Sequence, residues 1–284
     1  MFSRHLVYTK RPKVIDPLWK CIYCGSQDRN TLTREHVLPI GMGGGIILHK
    51  ASCGVCREVI SPFETRCMKE NFGAFRHQVK LSRHAHERPL HLPLEVEKDG
   101  VVTRKMVPLE ERPNILMLPE IDLPPRLMGG NPRKHSLTFK AYYQTEEAVQ
   151  RAALHGGEKV YVGGFFDTES FVRSVAKIAH GMMFITFKNA FDFEPLLLGI
   201  ILRNELDDVE QVFGRGEPFK LGLNPDSAGQ HQLKVDVRPS LDRSRYYIIV
   251  TAMLFSMYPV PAYCVVAGRS VAPPDWCGNQ EYTP

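Results

Sequence analysis

The sequence predicts an α+β protein, with a small zinc-stabilised segment followed by a larger α+β domain. Three observations carry this. Four cysteines fall in two Cys-x-x-Cys pairs, Cys21/Cys24 and Cys53/Cys56, with 28 residues between the pairs. Short apolar runs with strand character, punctuated by Pro and Gly, recur after residue 89. Residues 167–188 repeat apolar positions at helical spacing, namely Phe171, Val175, Ile178, Ala179, Met182 and Met183.

Paired thiols at this short spacing are how a chain presents four sulfurs tetrahedrally to one zinc ion. Such a site is structural, because four thiolates fill the zinc shell and leave no position for water or substrate. Each pair is expected on a knuckle-like turn: Gly25 follows Cys24 and Gly54 follows Cys53, where a small residue lets backbone amides approach sulfur. Zinc would contribute roughly 10 to 16 kcal/mol at neutral pH, enough to fold a segment with little apolar core of its own. Disulfides or unconnected thiols are the alternatives. Seven cysteines, with no continuous apolar run in residues 1–20, point instead to a reducing, cytoplasmic compartment.

Between the pairs lies Thr33-Arg34-Glu35-His36-Val37-Leu38-Pro39, followed after Ile40 by Gly41-Met42-Gly43-Gly44-Gly45. An imidazole at a strand end can take a proton from water near neutral pH, and a carboxylate beside it can hold a hard cation. Pro39 stops the strand, and the glycines let the backbone pass close to a phosphate. For a lone histidine the ordinary reading is a satisfied structural ring.

The order of these pieces, over residues 21–88, resembles the HNH endonucleases in their subtype with two zinc-knuckle cysteine pairs. The resemblance implies a ββα-metal core, in which a β-hairpin and a helix grip one divalent cation, and an enzyme that hydrolyses phosphodiester bonds. It makes His36 the general base that activates water. Glu35 becomes a ligand of Mg2+ or a similar ion, which stabilises the phosphorane as a Lewis acid. The implied partner is nucleic acid, double-stranded DNA first. The alternatives are a zinc module that binds nucleic acid without cutting it, and a scaffold that zinc merely staples.

The sequence departs from the family pattern in two places. No Asn occurs in residues 46–52, and the residue after the second cysteine pair is Arg57, which cannot ligate a cation. A subgroup of the family places Ser or Thr, any residue, Phe and Glu shortly after that pair, matched here by Ser61-Pro62-Phe63-Glu64. Glu64 is therefore the first candidate for a further ligand of the catalytic ion, ahead of His49 and His77. The competing reading makes Ser61 and Glu64 a capping box, with Pro62 opening a helix that Gly73 closes.

Charge is uneven. Residues 1–88 hold fifteen Lys or Arg against seven Asp or Glu, whereas the remaining 196 residues hold 21 against 24. A basic segment coinciding with the nuclease-like motif is the footprint expected of a polyanion partner. Lys10, Arg11, Lys13 and Lys20 suggest a basic arm. Arg34, Arg57, Arg66 and Arg76, with Lys69, Lys80 and Arg83, are candidate phosphate contacts, and a solvated face is the alternative. Cys67 is expected to be a small buried residue.

The expected organisation is 1–88 for the zinc module and arm, 89–134 for a Pro-rich hairpin and connector, and 135–284 for an α+β domain of unknown role. Strands are predicted over 90–96 and 101–107, turning at Lys98-Asp99-Gly100, and over 136–143 and 160–162. Helices are predicted over 145–154, over 167–188 with Asp167 or Thr168 as cap, and over 195–203. Residues 248–266 carry no charge over nineteen positions, close to the length of a membrane span. Pro259 and Pro261 divide them, however, and two buried antiparallel strands are the expectation.

Overall fold

The computed structural model describes residues 2–7, 13–79, 81, 90–131, 134–161, 166–187, 192–219 and 231–273. The first part of the chain forms β1 (Phe2–Val7), β2 (Lys13–Ile15), β3 (Thr33–His36), β4 (Ile46–Ser52), α1 (Gly54–Arg66) and α2 (Gly73–Gln78). Next come β5 (His91–Lys98), β6 (Val101–Pro108), β7 (Leu116–Ile121), β8 (Leu137–Tyr142), α3 (Thr145–Leu154), β9 (Lys159–Tyr161) and α4 (Thr168–Phe187). The last are β10 (Glu194–Pro195), β11 (Phe213–Arg215), β12 (Gln232–Pro239), β13 (Tyr246–Met253) and β14 (Tyr263–Ser270).

The uncharged run 248–266 is divided at its prolines between β13 and β14, which pair antiparallel with Val250 opposite Val265. Most of both strands is buried on both faces, so the run shows neither charge nor alternation. No described helix is long and apolar enough to cross a membrane. These strands form the middle of a six-stranded antiparallel sheet in the order β1-β12-β13-β14-β10, with β11 also on β14.

Helix α4 packs on β12, β13 and β14, and on α1 as well. Its N-terminus is capped by Asp167, whose Oδ1 accepts the Ser170 N–H at 3.0 Å. Sixteen of its twenty residues are buried, as expected of a helix covered on more than one face. Arg173, Lys177 and His180 are among them, spaced to lie on one stripe. The helix expected over 195–203 shrinks to one wide turn at 199–203, because Glu194 and Pro195 pair with β14 and Asn204 turns left-handed.

The core is continuous across residue 88. One apolar cluster joins Ile22, Leu38, Phe63 and Phe72 to Val175, Met182, Val250 and Tyr263. Phe72 meets Phe171 and Phe255 edge-on, with ring centroids 6.3 and 5.3 Å away. Strands also pair across residue 134: β7 with β8, and β5 with β9 as well as with β6. The β5–β6 turn places Asp99 and Gly100 at φ of 52° and 77°, as the sequence indicated. The stretch expected as a basic arm supplies β1, paired with β12, and β2, parallel to β4. Lys10, Arg11, Lys80, Arg83 and the boundary near residue 88 lie outside the described residues.

Two buried histidines fasten the cysteine-bearing segment to the rest. His180 Nε2 donates to the Ile22 carbonyl at 2.7 Å, and His231 Nε2 donates to that of Met42 at 2.9 Å. His231 Nδ1 also accepts the Phe255 N–H at 3.3 Å, an arrangement open only to the neutral ring. Burial lowers both rings to about 4, against the opposing pull of the carbonyls. Because the unfolded chain binds these protons near pH 6.5, stability is complete above that value and lost as pH falls toward 4. Each ring accounts for a loss on the order of 3 kcal/mol. His231→Gln keeps one donor and one acceptor without a titrating group. Denaturant unfolding followed from pH 7 to pH 4.5 is expected to show a shallower decline for this variant than for the parent. An unchanged slope would refute the assignment.

Candidate functional site

The cysteine pairs meet. Cys21, Cys24, Cys53 and Cys56 place their sulfurs within 4.8 Å of one another, a donor set that can hold one zinc ion. The first pair rides a tight turn in which Gly25 N–H donates to the Cys21 carbonyl and Cys21 N–H to that of Ser26. The second pair has a different support. Cys53 is the N-cap of α1 and Cys56 lies in its first turn, so Gly54 simply opens a helix, with nothing near where a side chain would stand. Burial, then the neighbouring Cys21, pushes the Cys56 thiol well up, so the cluster does not shed its protons together without a cation.

This helix start overturns the capping-box reading. Helix α1 begins after Cys53, and Pro62 lies inside it. The proline leaves the Glu58 carbonyl without its helical donor, a loss made tolerable because both residues are exposed and water replaces the bond. Gly73 opens α2 rather than closing α1. Along α1, Arg57, Ile60, Ser61 and Glu64 recur every three or four residues and face one cleft.

The opposite wall of that cleft is the end of β3. Strands β3 and β4 pair antiparallel with a register shift between Thr33 and Glu35, beyond which Glu35 is buried and His36 half-buried at the strand terminus. Gly43, Gly44 and Gly45 all have positive φ (108°, 47° and 130°). The glycine run is therefore required by the turn that carries the chain from β3 back to β4.

The cleft encloses about 510 Å3 between Arg34, Glu35, His36 and Pro39 on one side and Arg57, Glu64, Lys69 and Arg76 on the other. At its floor is a residue that sequence reasoning missed. Lys177, reaching in from α4, places its Nζ 2.7 Å from Glu35 Oε1 and 2.8 Å from Glu64 Oε1, and donates to the His36 carbonyl. Only 2% of its side chain is exposed. Burial opposes its charge, but the two carboxylates outweigh that and hold its pKa above the ordinary lysine value. For Glu64, burial pushes the carboxyl up, Lys177 pulls it back and Glu35 adds to the rise.

Three oxygens thus converge on one point, a hard donor set of the kind that binds Mg2+. The point is filled by an ammonium. A catalytic divalent ion does not fit between Glu35 and Glu64 without expelling Lys177. Among the described residues, the four cysteines form the one cluster of three or more metal-ligating groups.

Of the candidate site residues, Glu35, His36, Glu64, Arg34, Arg57 and Arg76 line one cleft. It does not bring Arg66 to them: its guanidinium is held by Asp167 at 2.5 Å and Glu169 at 2.7 Å. His77 lines a separate pocket with Gln78 and Arg112, and His49 lies on β4 away from the cleft. Cys67 is buried and its thiol is pushed up to about 11, chiefly by that burial.

Comparison of the chain with protein-family models, curated proteins and solved structures found no match. Elemental analysis of the purified protein is expected to give one zinc per chain. Cys56→Ser should lose the metal and a large part of the roughly 10 kcal/mol such a site contributes, seen as a collapse of the thermal unfolding midpoint. A folded, metal-free parent would refute the zinc assignment.

Proposed function

We propose that the cleft binds a nucleic-acid backbone and hydrolyses it, with His36 as the general base. The observation that carries this reading is the placement of the His36 ring at the end of β3, in a cleft walled by Arg34, Arg57, Lys69 and Arg76. Guanidinium groups pair with phosphate oxygens through two parallel hydrogen bonds and would neutralise the charge that builds on phosphorus. The imidazole takes a proton as water attacks. A P–O bond then breaks, and the departing oxygen is protonated by solvent or by the imidazolium. Glu35 acts from behind: through Lys177 it braces the strand end that carries the ring. The HNH resemblance and the basic balance of residues 1–88 support the same substrate class, with DNA the first candidate. Reduced, zinc-holding thiols suit a cytoplasmic setting.

A second reading, a zinc-containing module that binds nucleic acid without cutting it, is favoured by one observation. Lys177 fills the point where the resemblance would place the ion.

The test is incubation of the purified protein with plasmid DNA and with single-stranded RNA, with and without added Mg2+ or Mn2+. His36→Ala is expected to slow cleavage by about 10²- to 10⁴-fold while leaving filter binding unchanged. Salt-sensitive binding without cutting would transfer the conclusion to the second reading, and absence of binding would overturn both.

A further inference from the structure

The two carboxylates that a nuclease of this kind would use for its ion are already occupied, and the occupant cannot easily leave. Lys177 is held in place along the length of α4. One turn before it, Arg173 donates to the Ile201 carbonyl at 2.8 Å and lies over the Phe63 ring at 4.3 Å. One turn after it, His180 bonds to Ile22 and stacks on Tyr23 with ring centroids 5.3 Å apart. Next to His180, Gly181 lies so close to Val37 that a Cβ there would come within 2.9 Å of its methyl groups. These contacts fix the position of the helix, and only 2% of the lysine side chain is exposed.

Electrostatics point the same way. An ammonium stripped of both carboxylates while still buried is an uncompensated charge, which is strongly destabilising. A divalent ion entering beside it would meet like-charge repulsion at close range. Arg57, another cation, lines the same cleft.

We infer that Lys177 is the resident cation of this centre, a built-in replacement for a divalent ion, and that the intact site excludes Mg2+ and Mn2+. Occupancy of the centre is independent of whether the cleft cuts anything. If the hydrolase reading holds, its chemistry runs without a second metal.

The experiment is titration of Mn2+ into the zinc-loaded, full-length protein, read as loss of the free-ion electron paramagnetic resonance signal. The parent is expected to show no saturable site. Lys177→Met keeps most of the apolar stem, ends one atom short of the ammonium position and removes the charge, leaving Glu35 and Glu64 facing an opening. It should gain a single saturable Mn2+ site that Glu35→Gln, added to it, abolishes. The inference is overturned if the parent takes up one Mn2+ that Glu35→Gln removes. It is equally overturned if Lys177→Met retains its zinc and unfolds cooperatively yet binds no Mn2+. Should Lys177→Met fail to fold, the parent titration, with Glu35→Gln as its control, decides alone. Neither outcome depends on cleavage, so failure of this inference and failure of the hydrolase reading are separately visible.

Discussion

A lysine ammonium buried in a protein interior must be neutralised where it lies, and that requirement fixes much of this architecture. Lys177 reaches its partners only if the end of β3, the last turn of α1 and the third turn of α4 stand at set distances from one another. Each partner is itself committed. Glu35 is buried in the hairpin, and Glu64 lies one helical turn beyond Ile60, which faces the core. Three elements distant in sequence are thereby held in register by one charge. Ordinary apolar packing tolerates sliding far better than a buried ion pair does, because a displaced carboxylate loses its partner outright.

The four sulfurs and the apolar core divide the remaining work. The sulfurs meet where residues 21–24 face the start of α1, beside the buried Ile22 and Tyr23. The aromatic contacts of Phe72 and Phe75 with Phe255 join α2 to the end of β13 in the central sheet. His180 and His231 add polar anchors, and that of His231 works only when its ring is neutral. The cysteine-bearing segment is thus one wall of a larger core, and its cleft has a floor supplied by Lys177 of α4.

The features legible in the sequence were those encoded by near neighbours. The cysteine spacing, the Asp167 cap, the prolines dividing residues 248–266 and the histidine before Pro39 all announce themselves within a few residues, because turns, caps and metal knuckles are local chemistry. Lys177 does not, since the carbonyl it serves is 141 residues away. A signal for it did exist. A helix whose neighbouring residues are almost all apolar carries one lysine in its middle, and such a charge requires buried acids elsewhere. Glu35 and Glu64 were the acids already singled out, for another cation. The capping-box reading failed for a related reason: Ser61-x-x-Glu64 has the right local pattern, but the helix already starts at Gly54, two turns earlier. Arg66, read as a phosphate contact, answers instead to two acids at the start of α4.

Strand β1 closes one side of the main sheet by pairing with β12 along six residues. An unpaired strand edge is a template for association with other chains, and β12 is largely buried, with Leu233, Val235 and Val237 at alternate positions. Trimming the chain back to its first cysteine, a natural way to isolate the cysteine-bearing part, would uncover that edge. The resulting protein would tend to aggregate for reasons unrelated to the metal.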